Sequence, residues 1–246
     1  MRYAVLLAAA LSSGLVLAGC GGQDAPVAVQ PGERATPTVS ATPTVRPSAS
    51  PTSSPTGSRD RKGIDVSQHQ GDIDWERVAA DGVEFAYLKA TEGSGFSDPR
   101  FVSNARAAKA AGIEVGAYHY YTLCAAPEPQ AAHFVSTITG ATDLAPVVDL
   151  ELIGNCDPPP DPVLLQKQVQ RFIALVEEAS EERVVVYFHP GFEAFYSMVA
   201  EFDRPLWVRR VGTVPPPGEW HIWQRNDRGT VDGIDGPVDL NLMRNR

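Results

Sequence analysis

Asp149 and Glu151 stand two residues apart in Pro146-Val147-Val148-Asp149-Leu150-Glu151-Leu152-Ile153-Gly154-Asn155-Cys156, an apolar run that opens with β-branched residues and reaches a glycine. Such a run reads as a short buried strand, an element that ordinarily excludes charge. Side chains alternate across a strand, so the two acids project from one face and Val148, Leu150 and Leu152 from the other. At about 3.3 Å of rise per residue, their Cα atoms are roughly 6.6 Å apart. Two carboxylates this close in a partly buried site cannot both ionise freely, and one pKa rises. A proton-bearing acid beside an anionic partner is the arrangement that cleaves glycosidic bonds. On spacing alone, a wet edge strand whose acids pair with basic neighbours fits equally well, so the surrounding elements decide.

Those elements alternate between strand and helix from Gly63 onward. Gly63 to Ser67 is a first strand, followed by a short helix from Asp74 to Ala80 with Asp74 as N-cap. Val83 to Ala90 is a second strand, and Asp98-Pro99 opens a helix through Ala111 with the proline at its first position. Ile113 to Tyr121 and Pro127 to Thr139 form the third pair, and the Asp149/Glu151 strand follows. Asp161-Pro162 caps a long helix striped by Val169, Phe172, Ile173 and Val176. Arg183 to Phe188 and Phe192 to Glu201 complete a fifth pair. The helices then stop, and Leu206 to Val208, Trp220 to Gln224 and Val238 to Met243 read as three closing strands. This order predicts a TIM-like α/β barrel of eight strands with an incomplete helical jacket, (β/α)5β3.

Barrels of this kind work at the carboxyl ends of their strands. Polar and aromatic residues collect there: Asp65 and Ser67, Lys89 and Thr91, Tyr118 to Tyr121, Asp149 and Glu151, His189, Trp207, Gln224 and Asp239. Strand eight closes beside strand one, so carboxylates from strands one, four and eight converge. Aromatics flanking acids suit a sugar cleft, where the apolar face of a pyranose packs on a ring and its hydroxyls bond to carboxylates.

The 246 residues, 43% hydrophobic and 21% charged, suffice for this domain and a separate N-terminal part. Residues 1–19 begin with Arg2, continue through an apolar core from Ala4 to Leu17 and end in small residues, the pattern of a secretory signal. Leu17-Ala18-Gly19-Cys20 resembles the lipobox of bacterial lipoproteins, which implies lipidation of Cys20 and anchoring at the outer face of the cytoplasmic membrane. Residues 20–62 are dense in Pro, Thr, Ser and Ala and read as an unfolded tether, leaving 63–246 for the barrel. A net charge of −9 and the lack of a basic patch argue against nucleic acid as partner. Cys124 and Cys156 form a pair in an exported chain, which invites a disulfide contributing roughly 3 to 4 kcal/mol in the entropic account. The five histidines are scattered without ligand spacing, so neither a metal nor another cofactor is expected.

Several strings taken together resemble glycoside hydrolase family 25, the muramidases that cut the β-1,4 bond between N-acetylmuramic acid and N-acetylglucosamine in peptidoglycan. They are Gly63-Ile64-Asp65-Val66-Ser67, Gln70-Gly71-Asp72-Ile73-Asp74-Trp75, Lys89-Ala90-Thr91-Glu92-Gly93, Gly116-Ala117-Tyr118-His119-Tyr120, Val148-Asp149-Leu150-Glu151, Ile222-Trp223-Gln224 and Asp235-Gly236-Pro237-Val238-Asp239-Leu240-Asn241. The resemblance implies that Glu151 is the general acid and that Asp149 stabilises the positive charge developing at the sugar, directly or through the substrate's 2-acetamido group. It implies that Asp65 and Asp239 line the cleft and tune that pair. Tyr118, Trp207, Trp223, Gln224 and Lys89 are then substrate-binding candidates, with the three aromatics as sugar platforms or, alternatively, ordinary barrel core. Arg209-Arg210 departs from the family's pattern and suits an anionic substituent such as a lactyl carboxylate or a stem peptide. Peptidoglycan is the expected partner of a monomeric enzyme. The alternatives are a chitinase-like N-acetylglucosaminidase and a catalytically idle peptidoglycan-binding lipoprotein.

Overall fold

The computed structural model describes residues 59–152 and 155–245. The signal segment, Cys20 and the tether up to residue 58 lie outside the described residues. Among the described residues, no helix is long and apolar enough to cross a membrane.

Eight strands close on themselves: β1 (Arg61–Val66), β2 (Phe85–Glu92), β4 (Glu114–Tyr120), β5 (Val147–Leu150), β6 (Val185–Phe188), β7 (Leu206–Arg209), β8 (Ile222–Gly229) and β9 (Val238–Met243). A two-residue strand, β3 (Phe96–Ser97), folds back on the end of β2 and stands outside the ring. Five helices follow the first five barrel strands: α1 (Trp75–Ala80), α2 (Phe101–Ala110), α3 (Pro127–Ile138), α4 (Pro162–Ser180) and α5 (Pro190–Tyr196). The last three strands carry none, so the architecture is the expected eight-stranded barrel with a partial jacket.

Strand pairing is parallel from β1 through β8, but β9 runs antiparallel to both β8 and β1. Asp239 therefore reaches the mouth from the beginning of its strand, whereas the other acids come from strand ends. Its Cα partner across the β1–β9 ladder is Asp65.

Alternation along the strands builds two apolar cores. Outward residues such as Ile64, Leu88, Val115, Val148 and Val186 pack under the helices with Phe134, Val169 and Phe172. Inward residues Phe85, Tyr87, Val147, Val185, Tyr187, Trp207, Ile222 and Met243 fill the barrel itself. Two inward positions must be glycine. A Cβ on Gly63 would lie 2.2 Å from the Phe85 ring, and one on Gly116 would lie 2.2 Å from the Tyr87 ring.

Several boundaries differ from the sequence-based expectation, among them β8, expected over Trp220 to Gln224 and found at Ile222–Gly229, and β5, which ends at Leu150 before reaching Glu151. β1 starts at Arg61, two residues before Gly63, where Arg61 pairs with Glu114 and Lys62 with Asp81 at the base of the barrel. The helix expected from Asp98-Pro99 begins at Phe101, because the Asp98 carboxylate is used elsewhere: it accepts from the N–H groups of Gln68 and Arg100. The fifth helix starts at Pro190, capped by His189, and breaks at Ser197, whose φ is 50°. Asp74 and Asp161 do cap their helices, accepting from the N–H groups of Arg77 and Leu164.

Candidate active site

The cleft at the barrel mouth has a volume of about 210 Å³ and gathers Asp65, Asp149, Glu151 and Asp239 with Lys89, Tyr118, Trp207 and Gln224. All eight barrel strands contribute a side chain, β6 through Tyr187. Asp149 lies on β5, 7% exposed, and Glu151 stands one residue past the strand's end, half-buried at the lip. The strand holding them is tied on both sides, with the Tyr121 N–H bonded to the Asp149 carbonyl and the His189 N–H to that of Leu150.

All four acids are held above the usual carboxylate range. Burial is the main cause for Asp149, with the charges of Glu151 and Asp65 adding to it, and the shift is large. Burial also raises Glu151, against the opposing pull of His189, Arg209 and Lys89. Burial raises Asp65 while hydrogen bonds from Asn241 and Gln224 oppose the rise. Asp239 is pushed up to about 8 by burial and then by the charge of Asp65, to which it hydrogen-bonds.

The two acid pairs differ in their partners. Asp65 Oδ2 accepts from Asn241 Nδ2 at 2.7 Å and from Gln224 Nε2 at 3.1 Å. Each amide is polarised from behind, since Trp207 Nε1 donates to Asn241 Oδ1 at 2.9 Å and the Tyr187 hydroxyl donates to Gln224 Oε1 at 3.2 Å. Two donor chains thus converge on one oxygen and favour the ionised form of Asp65, leaving the proton of that pair on Asp239. Asp149 Oδ1, by contrast, is buried without any hydrogen-bond partner.

Other expected residues sort by strand parity. Lys89 faces the cleft, where its ammonium lies 2.5 Å from Glu92 and 4.9 Å from the centre of the Tyr120 ring. Tyr118 lines the wall, and Trp207 lies at the floor, packed against Tyr87 and Tyr187. Trp223 is a correction: it does not line the cleft. Gln224 faces inward, so its neighbour must face outward, and Trp223 is 3% exposed against Trp220 with its indole N–H donating to the Arg210 carbonyl. Of the two arginines, Arg209 turns toward the mouth and pairs with Asp227 at 2.6 Å, while the Arg210 side chain bonds to the Pro215 carbonyl outside it.

Asn241 and Tyr187 belong to the site although neither stood among the expected site residues. The signal for Asn241 was present, since it lies two positions after Asp239 on the same strand face. Cys124 and Cys156 are joined, with Cα atoms 5.9 Å apart. Among the described residues, no group of three or more His, Cys, Asp or Glu side chains is arranged to hold a metal ion.

Comparison with known proteins bears on this geometry. The family described as glycosyl hydrolases family 25 matches residues 64–234, which contain three of the four acids. The uncharacterized protein YegX of Escherichia coli K12 is 34% identical over 195 residues, covering 74% of this chain and 68% of its own. A family 25 glycosyl hydrolase from Bacillus anthracis superposes with a TM-score of 0.70 at 32% identity, over 76% of this chain and 90% of that one. A bacterial lysozyme from Streptomyces coelicolor gives 0.69 at 31% identity, over 75% and 92%.

Proposed function

This chain belongs to glycosyl hydrolases family 25, and from that premise we propose that it hydrolyses the β-1,4 bond between N-acetylmuramic acid and N-acetylglucosamine with Glu151 and Asp149 as the working pair. The muramidase activity follows from the family and from its lysozyme relatives. The observation that carries the assignment of roles is the buried, unpartnered Asp149 oxygen beside a half-exposed Glu151. A buried carboxyl oxygen without a partner is costly, and sites keep such groups where a ligand supplies the missing bond.

Glu151 stands at the lip, where the bridging oxygen of a bound glycan can reach it, and burial raises its pKa, which favours the proton-bearing form that a general acid needs. It donates that proton to the leaving oxygen and then takes one from the attacking water. Asp149, deeper under the sugar, meets the positive charge that develops at the anomeric carbon, or accepts from the N–H of the 2-acetamido group that attacks it. The developing cation favours the ionised form of Asp149, which burial disfavours in the empty cleft. The ionised Asp65 and protonated Asp239 set the field around that pair. Tyr118 and Trp207 form the wall and floor against which a sugar ring packs, and Gln224 and Lys89 add polar contacts.

The test is digestion of purified cell walls by the full-length protein and by Glu151→Gln. The expected outcome is solubilisation by the first, with new N-acetylmuramic acid reducing ends, and a loss of about 10³-fold or more in the second with wall binding kept. Equal rates would remove Glu151 from the mechanism, and N-acetylglucosamine reducing ends would point to the chitinase-like alternative.

The proposal extends to residues 1–19 as an export signal, Cys20 as a lipidation site and the stretch from residue 20 to the start of β1 at Arg61 as a tether, on sequence pattern alone. A lipid anchor would hold a monomeric enzyme at the outer face of the membrane, near its wall substrate. Cys20→Ala should move the protein from the membrane fraction to the soluble one. Unchanged membrane association would refute the anchor.

A further inference from the structure

Glu151 lies just beyond the last ladder-paired residue of β5, so its backbone needs another support. One side chain provides it. Asn155 Nδ2 donates to the Glu151 carbonyl at 3.2 Å and to the Tyr121 carbonyl at 2.7 Å, while Asn155 Oδ1 accepts from the Leu123 N–H at 2.7 Å. Both amide hydrogens and the carbonyl of Asn155 are thereby used to join the segment after β4 to the segment that carries Glu151.

The segment after β4 is itself rigid. Gln130, fully buried on α3, accepts from the Thr122 N–H at 2.8 Å and donates to the carbonyls of Thr122 and Ala125 at 3.1 and 3.2 Å. The residue next to Asn155 is Cys156, bonded to Cys124 on that same rigid segment. A covalent bond and an amide clamp therefore act side by side between two loops, one fixed by the jacket and the other bearing the acid.

We propose that Asn155 is a positioning residue for Glu151, and that the Cys124–Cys156 bond keeps its clamp closed. The inference rests on the catalytic role proposed above for Glu151. Acid catalysis demands placement within a fraction of an ångström of the leaving oxygen, whereas glycan binding is spread over the whole cleft. Loss of the clamp therefore lowers turnover and spares affinity.

The experiment uses the full-length protein on soluble peptidoglycan fragments, with Asn155→Ala, Asn155→Asp and Glu151→Gln in parallel, folded fractions being measured by near-ultraviolet circular dichroism. Asn155→Asp keeps the acceptor for Leu123 but loses both donated bonds. Expected for both Asn155 variants is a fall in kcat of about 10- to 100-fold with KM held within about twofold, the signature of a displaced group. Reducing the disulfide in the otherwise unaltered protein should lower kcat in the same sense, and reoxidation should restore it. Unchanged kcat in both variants, a loss no larger than the loss of folded protein, or a rise in KM with kcat kept would each overturn the positioning role. Full kcat in the reduced protein would remove the disulfide from it. An active Glu151→Gln would instead overturn the assignment of Glu151, whatever the Asn155 variants do.

Discussion

The mouth of the barrel holds two pairs of acids with opposite surroundings. Asp65 and Asp239 face each other across an antiparallel ladder and are served by two amides, each backed by an aromatic donor. Asp149, on β5, and Glu151, one residue past its end, follow one another along the chain, and Asp149 is left with a bare oxygen. Both pairs are buried and both bind protons more tightly than free carboxylates do. The difference lies in who supplies the hydrogen bonds. The fold completes the first pair, so its charge state is settled before substrate arrives. The second pair is incomplete until something enters the cleft, which is what differential stabilisation of a transition state requires.

Replacing Asp149 by Asn is the most direct way to break the contrast. Activity on cell walls should fall by about 100-fold or more, since the amide cannot carry the charge that stabilises the sugar cation. Stability should move the other way. A carboxyl whose folded pKa is raised binds more protons in the native than in the unfolded state, so its contribution is full below the unfolded pKa and lost as pH rises through the folded one. At neutral pH, Asp149→Asn should therefore melt above the parent protein, and the gap should close as pH falls toward 4. A variant that melts lower at pH 7 would show that Asp149 is supported rather than strained.

Asp239→Asn should give a smaller effect and sharpen the comparison. Its folded pKa of about 8 against an ordinary 3.8 places its window between about pH 4 and 8, with stability lost upward through that range. The variant should melt higher at pH 8 by about 2 to 4 °C for each kcal/mol relieved and match the parent near pH 4. Because the Asp65 side of this pair is already supplied with donors, the rate should fall less than in Asp149→Asn. A larger rate loss in Asp239→Asn would reverse the ranking of the two pairs.

Much of this was legible in the residue order, and the misses have physical causes. Strand parity put Asp149 and Glu151 on one face, and both line the cleft although β5 ends between them at Leu150; β9 was delimited at Val238 and Met243 by its turn residues. The same parity rule excludes Trp223 once Gln224 is assigned inward, because adjacent strand residues cannot both face the cleft. The reversal of β9 was not read: a strand ending at Gln224 leaves residues 225–237, enough for a parallel return, whereas β8 runs on to Gly229 and the remaining residues 230–237 are too few for one. What sequence could not reveal is which buried polar atoms find partners. The bare oxygen of Asp149, the amide chains behind Asp65 and the clamp by Asn155 depend on long-range contacts, such as Tyr187 to Gln224 across 37 positions and Asn241 to Asp65 across 176. Helix starts at Asp98 and Phe192 were misplaced for a related reason: Asp98 is drawn to Gln68, and His189 caps its helix earlier.

The reversed last strand also fixes where the polypeptide enters and leaves. Arg61 and Met243 are ladder partners at the end of the barrel remote from Asp65 and Asp239. Had β9 run parallel, the carboxyl end would emerge among the acids. Instead both ends of the described barrel open on its underside, so a passenger fused at either one, or a pull applied there, leaves the approach of a long glycan strand unobstructed.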